Sequence, residues 1–326
     1  MKQVKIGLLG VGHLGKIHLK CLKNTPFDIV GFYDPNIDHA KAVSEEMGIP
    51  YFETIDGLME KVDALDIVTP TITHYDLAKQ AIEKDLHVFI EKPVTNTLEE
   101  AKALYELNLD KKKVVQVGHV ERYNPAILSL QKTSLAPAFI EGHRLAMFNP
   151  RGTDVSVVLD LMIHDLDLVL SIVKSPVASV MANGVNVVSK KADICNARIQ
   201  FENGCVANLT ASRISLKNMR KLRLFQGDAY ISLDFLKKES QVVRLEEVPD
   251  DVDADTIMGM TLATDTGTKR ISIEMPEMIE NNAIQSELTD FYHSIVDGRE
   301  VTVPLRDGYM ALQLAHQIED QLSTKA

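Results

Sequence analysis

Three groups of residues in this 326-residue chain have types and spacings that could do chemistry. The first is Gly10-Val11-Gly12-His13-Leu14-Gly15, which follows the apolar run Val4–Leu9 and opens an amphipathic stretch through Leu22. Gly10 permits a tight turn, Gly12 lets backbone approach a pyrophosphate with no Cβ in the way, and Gly15 allows close helix–strand packing. The helix start at His13 and Leu14 offers amides and a positive dipole end to the phosphates. Asp34 closes the next β-rich run, Ile29–Tyr33. A carboxylate there hydrogen-bonds the adenosine ribose hydroxyls and repels a 2′-phosphate, which predicts NAD as cofactor in preference to NADP. The competing reading is an ordinary strand–turn–helix with a surface aspartate.

The second group lies where further apolar runs end. Thr69-Pro70-Thr71 follows Leu65–Val68, and His74 opens the next periodic stretch. Loops leaving the carboxyl ends of parallel strands line the ligand crevice, so Thr69, Pro70, Thr71 and His74 are candidate cofactor contacts. A histidine at that place also serves as a plain helix-start residue. Glu91 and Lys92 close the run Val88–Ile90 and are further candidate cofactor contacts, and Pro93 follows at once. Pro93 biases Lys92 to an extended conformation, and the bond between them is open to the cis form. Lys92 is either aimed into the crevice or one half of a surface ion pair with Glu91.

The third group is Asp160 and His164 in "VVLDLMIHDLDLVLSIV", residues 157–173. Four residues apart on a helix, they share a face. A carboxylate holding an imidazole in one tautomer is a general-base arrangement, and histidine titrates near neutral pH. A structural Asp–His pair fits the spacing as well, and Asp165 and Asp167 compete as partners for His164.

These residues must be positioned by a scaffold, and the pattern of the chain predicts one. Up to residue 118, short β-branched runs (Val4–Leu9, Ile29–Tyr33, Leu65–Val68, Val88–Ile90, Val114–Val117) alternate with amphipathic stretches. That alternation predicts a doubly wound parallel sheet covered on both faces. Beyond it, helical stretches near 124–132 and 155–173 frame a strand near 138–147. Closely spaced strands then follow between 177 and 247, predicting an α+β domain on a large, mostly antiparallel open sheet. The expected division is 1–120 for dinucleotide binding and 121–326 for substrate binding and oligomerisation. A final helix, about 307–323, is expected to pack back on the first domain.

Composition narrows the function classes. The net charge of −11 argues against nucleic acid or an anionic membrane as partner. No apolar run is long enough to span a bilayer, and the N-terminal run enters the glycine pattern without a cleavage site. Three cysteines in apolar contexts, without ligand spacing, fit core thiols in a reducing cytoplasm. The acidic run Asp250–Asp255 lacks the glycine and terminal glutamate of a calcium loop, and no metal site is expected.

The assembled motifs resemble the Gfo/Idh/MocA family of oxidoreductases along nearly the whole chain. The resemblance rests on Gly10-x-Gly12-x-x-Gly15, Thr69-Pro70-x-x-x-His74, Glu91-Lys92-Pro93, Asp160-x-x-x-His164, and the closing helix with Asp297-Gly298-Arg299. It implies that Lys92 lies beside nicotinamide and substrate, that His164 is the general base, and that Asp160 contacts the sugar or orients the histidine. "VGHVERYNPAI", "GHRLAMFNPR" and "DVSVVLDLMIHDLDL" are similar to the nucleotide-sugar branch, which implies oxidation at C3 of a UDP-N-acetylhexosamine or a related substrate. Arg122, Arg144 and Arg151 could then serve the diphosphate, and Tyr123 and Asn124 the ring hydroxyls or uracil. Rim salt bridges are the alternative for the arginines. The resemblance also implies a homodimer or homotetramer through the second sheet. Two rival readings are a dehydrogenase of a free polyol or sugar, and a non-catalytic NAD-dependent sensor. Retention of Lys92 and His164 counts against the sensor.

Overall fold

A computed structural model describes residues 3–149, 155–248, 260–265 and 267–323. It divides into two compact units, Met1–Tyr123 with Asn281–Gln313, and Asn124–Glu280 with Leu314–Ala326.

The first unit is built on strands β1 (Lys5–Leu9), β2 (Asp28–Tyr33), β3 (Tyr51–Phe52), β4 (Ala64–Ile67), β5 (His87–Glu91) and β6 (Val115–Gly118). All pair in parallel, in the order β3-β2-β1-β4-β5-β6. This is the order of dinucleotide-binding sheets, reversing direction between β1 and β4. The connections hold helices α1 (His13–Leu22), α2 (Ile37–Met47), α3 (Ile55–Met59), α4 (His74–Glu83) and α5 (Leu98–Lys111). Local chemistry sets their ends. Asn36 accepts the amide of His39 at the start of α2, and Thr97 and Glu100 form a capping box at the start of α5. The central strands are buried on both faces, as their unbroken apolar runs require. Helix α8 (Ala283–Asp297) completes this core: Leu288, Phe291 and Tyr292 pack in the same cluster as Leu8, Phe27 and Phe89. Asn281–Gln313 thus belong with the first unit's core, far away in sequence from the strands they cover.

The second unit carries a short helix α6 (Pro125–Leu128), strand β7 (Phe139–Leu145), a π turn at Val158–Met162 and helix α7 (Ile163–Val173). Strands β8 (Val177–Val185), β9 (Ile194–Phe201), β10 (Val206–Ser212), β11 (Met219–Gln226), β12 (Ala229–Asp234), β13 (Glu239–Glu247), β14 (Met260–Thr264) and β15 (Gly267–Glu274) follow. The sheet runs β14-β15-β13-β12-β11-β7-β10-β9-β8, and only the β7–β10 pair is parallel. Strict alternation of buried and exposed residues in β9 gives the sheet one apolar face. On that face Val158, Met162, Leu166 and Val169 cluster with Ala197, Ile199, Leu209 and Leu222. The predicted fold class is borne out, with β3, β14 and β15 added. The last helix, α9 (Leu305–Ser323), contributes Leu314, Ala315 and Ile318 to this core, while its Gly308 lies against Val117 in the first unit. Arg151 and the acidic run Asp250–Asp255 lie outside the described residues.

Candidate active site

The glycine loop folds as its residue types demand. Gly10 has φ +89°, and a Cβ on Gly15 would stand 1.9 Å from the Gly10 carbonyl oxygen. Only glycine fits either place. A Cβ at Gly12 would meet nothing within 4 Å, so this position is bare on its outer side. The start of α1 has no side-chain cap, which leaves its first-turn amides to other acceptors. Asp34 accepts the Val11 amide at 3.0 Å and the Asn36 amide at 2.9 Å, so its carboxylate is fixed at the end of β2 beside the loop. A bare glycine, uncapped amides and an anchored carboxylate fit a dinucleotide: the loop would hold the pyrophosphate and Asp34 the ribose.

Thr69 and Thr73 hydrogen-bond each other at 2.8 Å at the carboxyl end of β4. His74 is 1% exposed, with Nδ1 2.9 Å from the Pro93 carbonyl and Nε2 2.9 Å from the Thr69 carbonyl. Burial lowers its pKa, overriding the two carbonyls that favour the cation. His74 thus lies between the Thr69 loop and the turn after Lys92. The Lys92–Pro93 bond is cis, and Lys92 itself is half-buried.

The Glu91 carboxylate accepts the Lys92 amide at 3.0 Å and lies 3.2 Å from Nε2 of His18. Nδ1 of His18 is 2.9 Å from Asp66, and both side chains are fully buried. Burial opposes the charge on His18, but Asp66 and Glu91 outweigh it and hold its pKa well above the ordinary value. Glu287 of α8 adds a third carboxyl group with 0% exposure. One ligand atom each from His18, Glu91 and Glu287 lies within 4.8 Å of the others. However, both imidazole nitrogens already face carboxylates, so His18 has no lone pair for a metal ion. Sequence reasoning missed this cluster. Its signal was Asp66, a charge inside a run otherwise fit for a buried strand.

In the second unit, Asp160 sits in the π turn and His164 in the first turn of α7, both half-buried. A π turn in a helix marks functional sites disproportionately, and it changes the simple i, i+4 stacking expected of a regular helix. Asp165, the neighbour of His164 in the sequence, has a cation partner. It accepts two bonds from Arg144, from Nε at 3.0 Å and Nη2 at 2.7 Å. Arg144 is 2% exposed, so this cation neutralises a buried carboxylate. In the first unit, Arg122 pairs with Asp307 at 3.0 Å and the Tyr123 hydroxyl donates to Asp290 at 2.6 Å. Burial and Asp290 push the Tyr123 hydroxyl above its ordinary pKa, so it stays protonated. Asn124 caps α6 by accepting the Ala126 amide and donates to the Phe235 carbonyl.

Comparison with known proteins agrees with the architecture. The model for the oxidoreductase family with an NAD-binding Rossmann fold (GFO_IDH_MocA) matches residues 4–119, and the C-terminal domain model of that family matches 139–227. UDP-N-acetylglucosamine 3-dehydrogenase of Acidithiobacillus ferrooxidans is 35% identical over 98% of this chain and 97% of its own length. Its solved structure matches with TM-score 0.88, at 34% identity over 99% of both chains. The scyllo-inositol 2-dehydrogenase (NAD(+)) of Bacillus subtilis is 30% identical over 65% of this chain and 68% of its own. Levoglucosan dehydrogenase, solved with NADH and levoglucosan, shares the fold at TM-score 0.82 and 19% identity. Two family models and a relative matched along almost the whole chain establish that this protein belongs to the Gfo/Idh/MocA family and is an NAD(P)-dependent dehydrogenase.

Proposed function

We propose that this dehydrogenase uses NAD to oxidise a secondary hydroxyl of a nucleotide-linked hexose, with C3 of UDP-N-acetylglucosamine as the leading substrate. The observation that carries the substrate class is the 35% identity to a UDP-N-acetylglucosamine 3-dehydrogenase over 98% of the chain. NAD in preference to NADP is supported by Asp34, whose anchored carboxylate would repel a 2′-phosphate.

The bound nicotinamide would accept the hydride; the protein supplies proton transfer, position and field. In this reading His164 takes the proton of the reacting hydroxyl and Asp160 orients the imidazole or holds the sugar. Lys92 steadies the negative charge that develops on the same oxygen, as a partly buried ammonium group can. Arg122, Tyr123, Asn124, Arg144 and Arg151 remain proposed substrate contacts, with Arg122 as the nearest source of positive charge to Tyr123 in sequence. A homo-oligomer through the second sheet is supported by an aromatic row on its outer face, where Phe139 and Phe225 lie 5.7 Å apart and Phe225 and Tyr230 5.1 Å. Among the described residues no helix is long and apolar enough to cross a membrane. A cytoplasmic setting is in keeping with Cys21, Cys195 and Cys205, all buried free thiols.

The test is NADH absorbance on incubation with a panel of UDP-sugars and free inositols, with NAD and NADP in parallel. The expected result is turnover of UDP-N-acetylglucosamine with NAD. Turnover of free inositols alone would move the assignment to a polyol dehydrogenase.

A further inference from the structure

Lys92 does not stand alone at the end of its strand. Directly beneath it, four titratable side chains from four elements converge in a fully packed interior: His18 of α1, Asp66 of β4, Glu91 of β5 and Glu287 of α8. The contacts form a chain from Asp66 through His18 to Glu91, and Glu91 returns to the backbone amide of Lys92. Gly118 on the neighbouring strand makes room for it, since a Cβ there would stand 2.8 Å from Oε1 of Glu91. A buried ionic cluster of this kind is costly to desolvate and contributes little net stability, so its retention under a reactive lysine calls for a functional reason.

We propose that these four residues are positioning residues for Lys92: they pin the end of β5 and present a single ionised carboxylate, that of Glu91, as the counter-charge of the lysine. The inference rests on the reading of Lys92 as a residue that acts on the substrate.

The charge state follows from the surroundings. Burial opposes ionisation of every member, so the cluster keeps only those charges that compensate one another. His18 lies between two carboxylates and is an imidazolium. Burial works against the carboxylate of Glu91, but His18 and Lys92 prevail and hold its pKa low. Glu287 is different. Neither of its oxygens has a hydrogen-bond partner among the described residues, and burial with the nearby charge of Glu91 raises its pKa well above the ordinary value. Glu287 is therefore a neutral acid. Burial raises the pKa of Asp66, and the charge and hydrogen bond of His18 oppose that rise. With Asp66 ionised against His18, one cation, two carboxylates and one neutral acid leave one negative charge, which the ammonium of Lys92 balances. Were Glu287 ionised, a second uncompensated carboxylate would lie within 4.8 Å of Glu91 and drive one of the pair to protonate. Its neutrality is what lets Glu91 stay charged.

The groups that act on Glu91 come from every side. They are His18 on α1, Asp66 on β4, His74 on α4, Glu287 on α8, and Lys92 itself. Of these, His74 has its pKa lowered by burial, against the Thr69 and Pro93 carbonyls that favour its cation. Of the two carboxylates, Asp66 faces His18, and Glu91 is the one bonded to the backbone of Lys92.

Two measurements test the proposal. In Glu91→Gln the backbone contact can be kept while the charge is lost, so the limb of the kcat–pH profile governed by Lys92 should move to lower pH by on the order of one unit. Cofactor affinity, read by NADH fluorescence, should change little, and Glu91→Asp should restore part of the shift. An unshifted profile in Glu91→Gln, together with an inactive Lys92→Ala, overturns the positioning role while leaving Lys92 in place. Normal turnover of Lys92→Ala instead removes the reading of Lys92 on which the inference stands. Infrared difference spectra, which need no activity, supply the second check. Wild type should show a protonated-carboxyl stretch at neutral pH that Glu287→Gln lacks, and absence of that band in wild type overturns the charge assignment.

Discussion

Gly12 and Gly15 stand three residues apart in one loop, and the structure predicts opposite consequences for the same added methyl group. At Gly15 the new Cβ would stand 1.9 Å from the carbonyl oxygen of Gly10 and 3.0 Å from its carbon. Both are backbone atoms, so no side-chain rotation relieves the contact, and the helix must move away from the strand end. Overpacking costs about 1–3 kcal/mol, and a backbone clash belongs at the upper end. At about 3 kcal/mol, Gly15→Ala should lower the melting temperature of the first unit by roughly 6–12 °C. At Gly12 the methyl would meet no protein atom within 4 Å, and the backbone angles, φ −62° and ψ −163°, suit alanine. Gly12→Ala should therefore change stability by less than about 0.5 kcal/mol. It should nevertheless weaken NADH binding at least tenfold, or about 1.4 kcal/mol, because the methyl occupies the path by which phosphate reaches the amides. Thermal melts without cofactor and NADH fluorescence titrations separate the two effects. A Gly12→Ala protein with wild-type NADH affinity would refute the placement of the dinucleotide. Gly15→Ala as stable as wild type would refute the packing argument.

Asp34→Ala should lower NAD affinity and narrow the preference for NAD over NADP by tenfold or more; an unchanged ratio of the two dissociation constants rules out the carboxylate as the discriminating group. Arg144→Ala removes both guanidinium bonds from the buried Asp165, with an expected loss of about 3–5 kcal/mol in urea unfolding. A nearly unchanged stability with a raised KM would favour the substrate role of Arg144. The pKa of His18 is raised by Asp66 and Glu91 against the opposing effect of burial. Its contribution to stability is thus fully present below the ordinary histidine pKa of about 6.5 and is lost as pH rises through the raised folded value. Asp66→Asn should flatten that decline, and identical slopes in the two proteins would break the assignment.

Much of the scaffold was legible because its determinants are local. Alternating β-branched runs and amphipathic stretches announce a doubly wound sheet, and Gly10, Gly12 and Gly15 announce a turn that only glycine can make. Tyr51–Phe52 was not legible as a strand because two residues are too few to carry a period. The strands at Met260–Thr264 and Gly267–Glu274 carry only short alternations, Met260 with Leu262 and Ile271 with Ile273, too brief to fix a period. The π turn at Asp160 was invisible for a further reason: its residues read as ordinary helix, and the extra residue in the turn is a property of the backbone path.

Candidate residues divide along the same line. Sequence alone determined the dinucleotide loop, Asp34 at the end of β2, and Lys92 at the tip of a buried strand, since each depends on neighbours within one turn or one strand. Tertiary structure decided what the charges are for. His18 and Asp66 are 48 residues apart, Arg144 and Asp165 are 21 apart, and Glu287 comes from a helix nearly two hundred residues beyond Glu91. Arg144, expected at a diphosphate, bonds the buried Asp165, and Glu91, expected at the cofactor, faces His18. Whether a charged side chain serves a ligand or a buried partner depends on which groups share its low-dielectric surroundings, and only the folded chain brings those groups together.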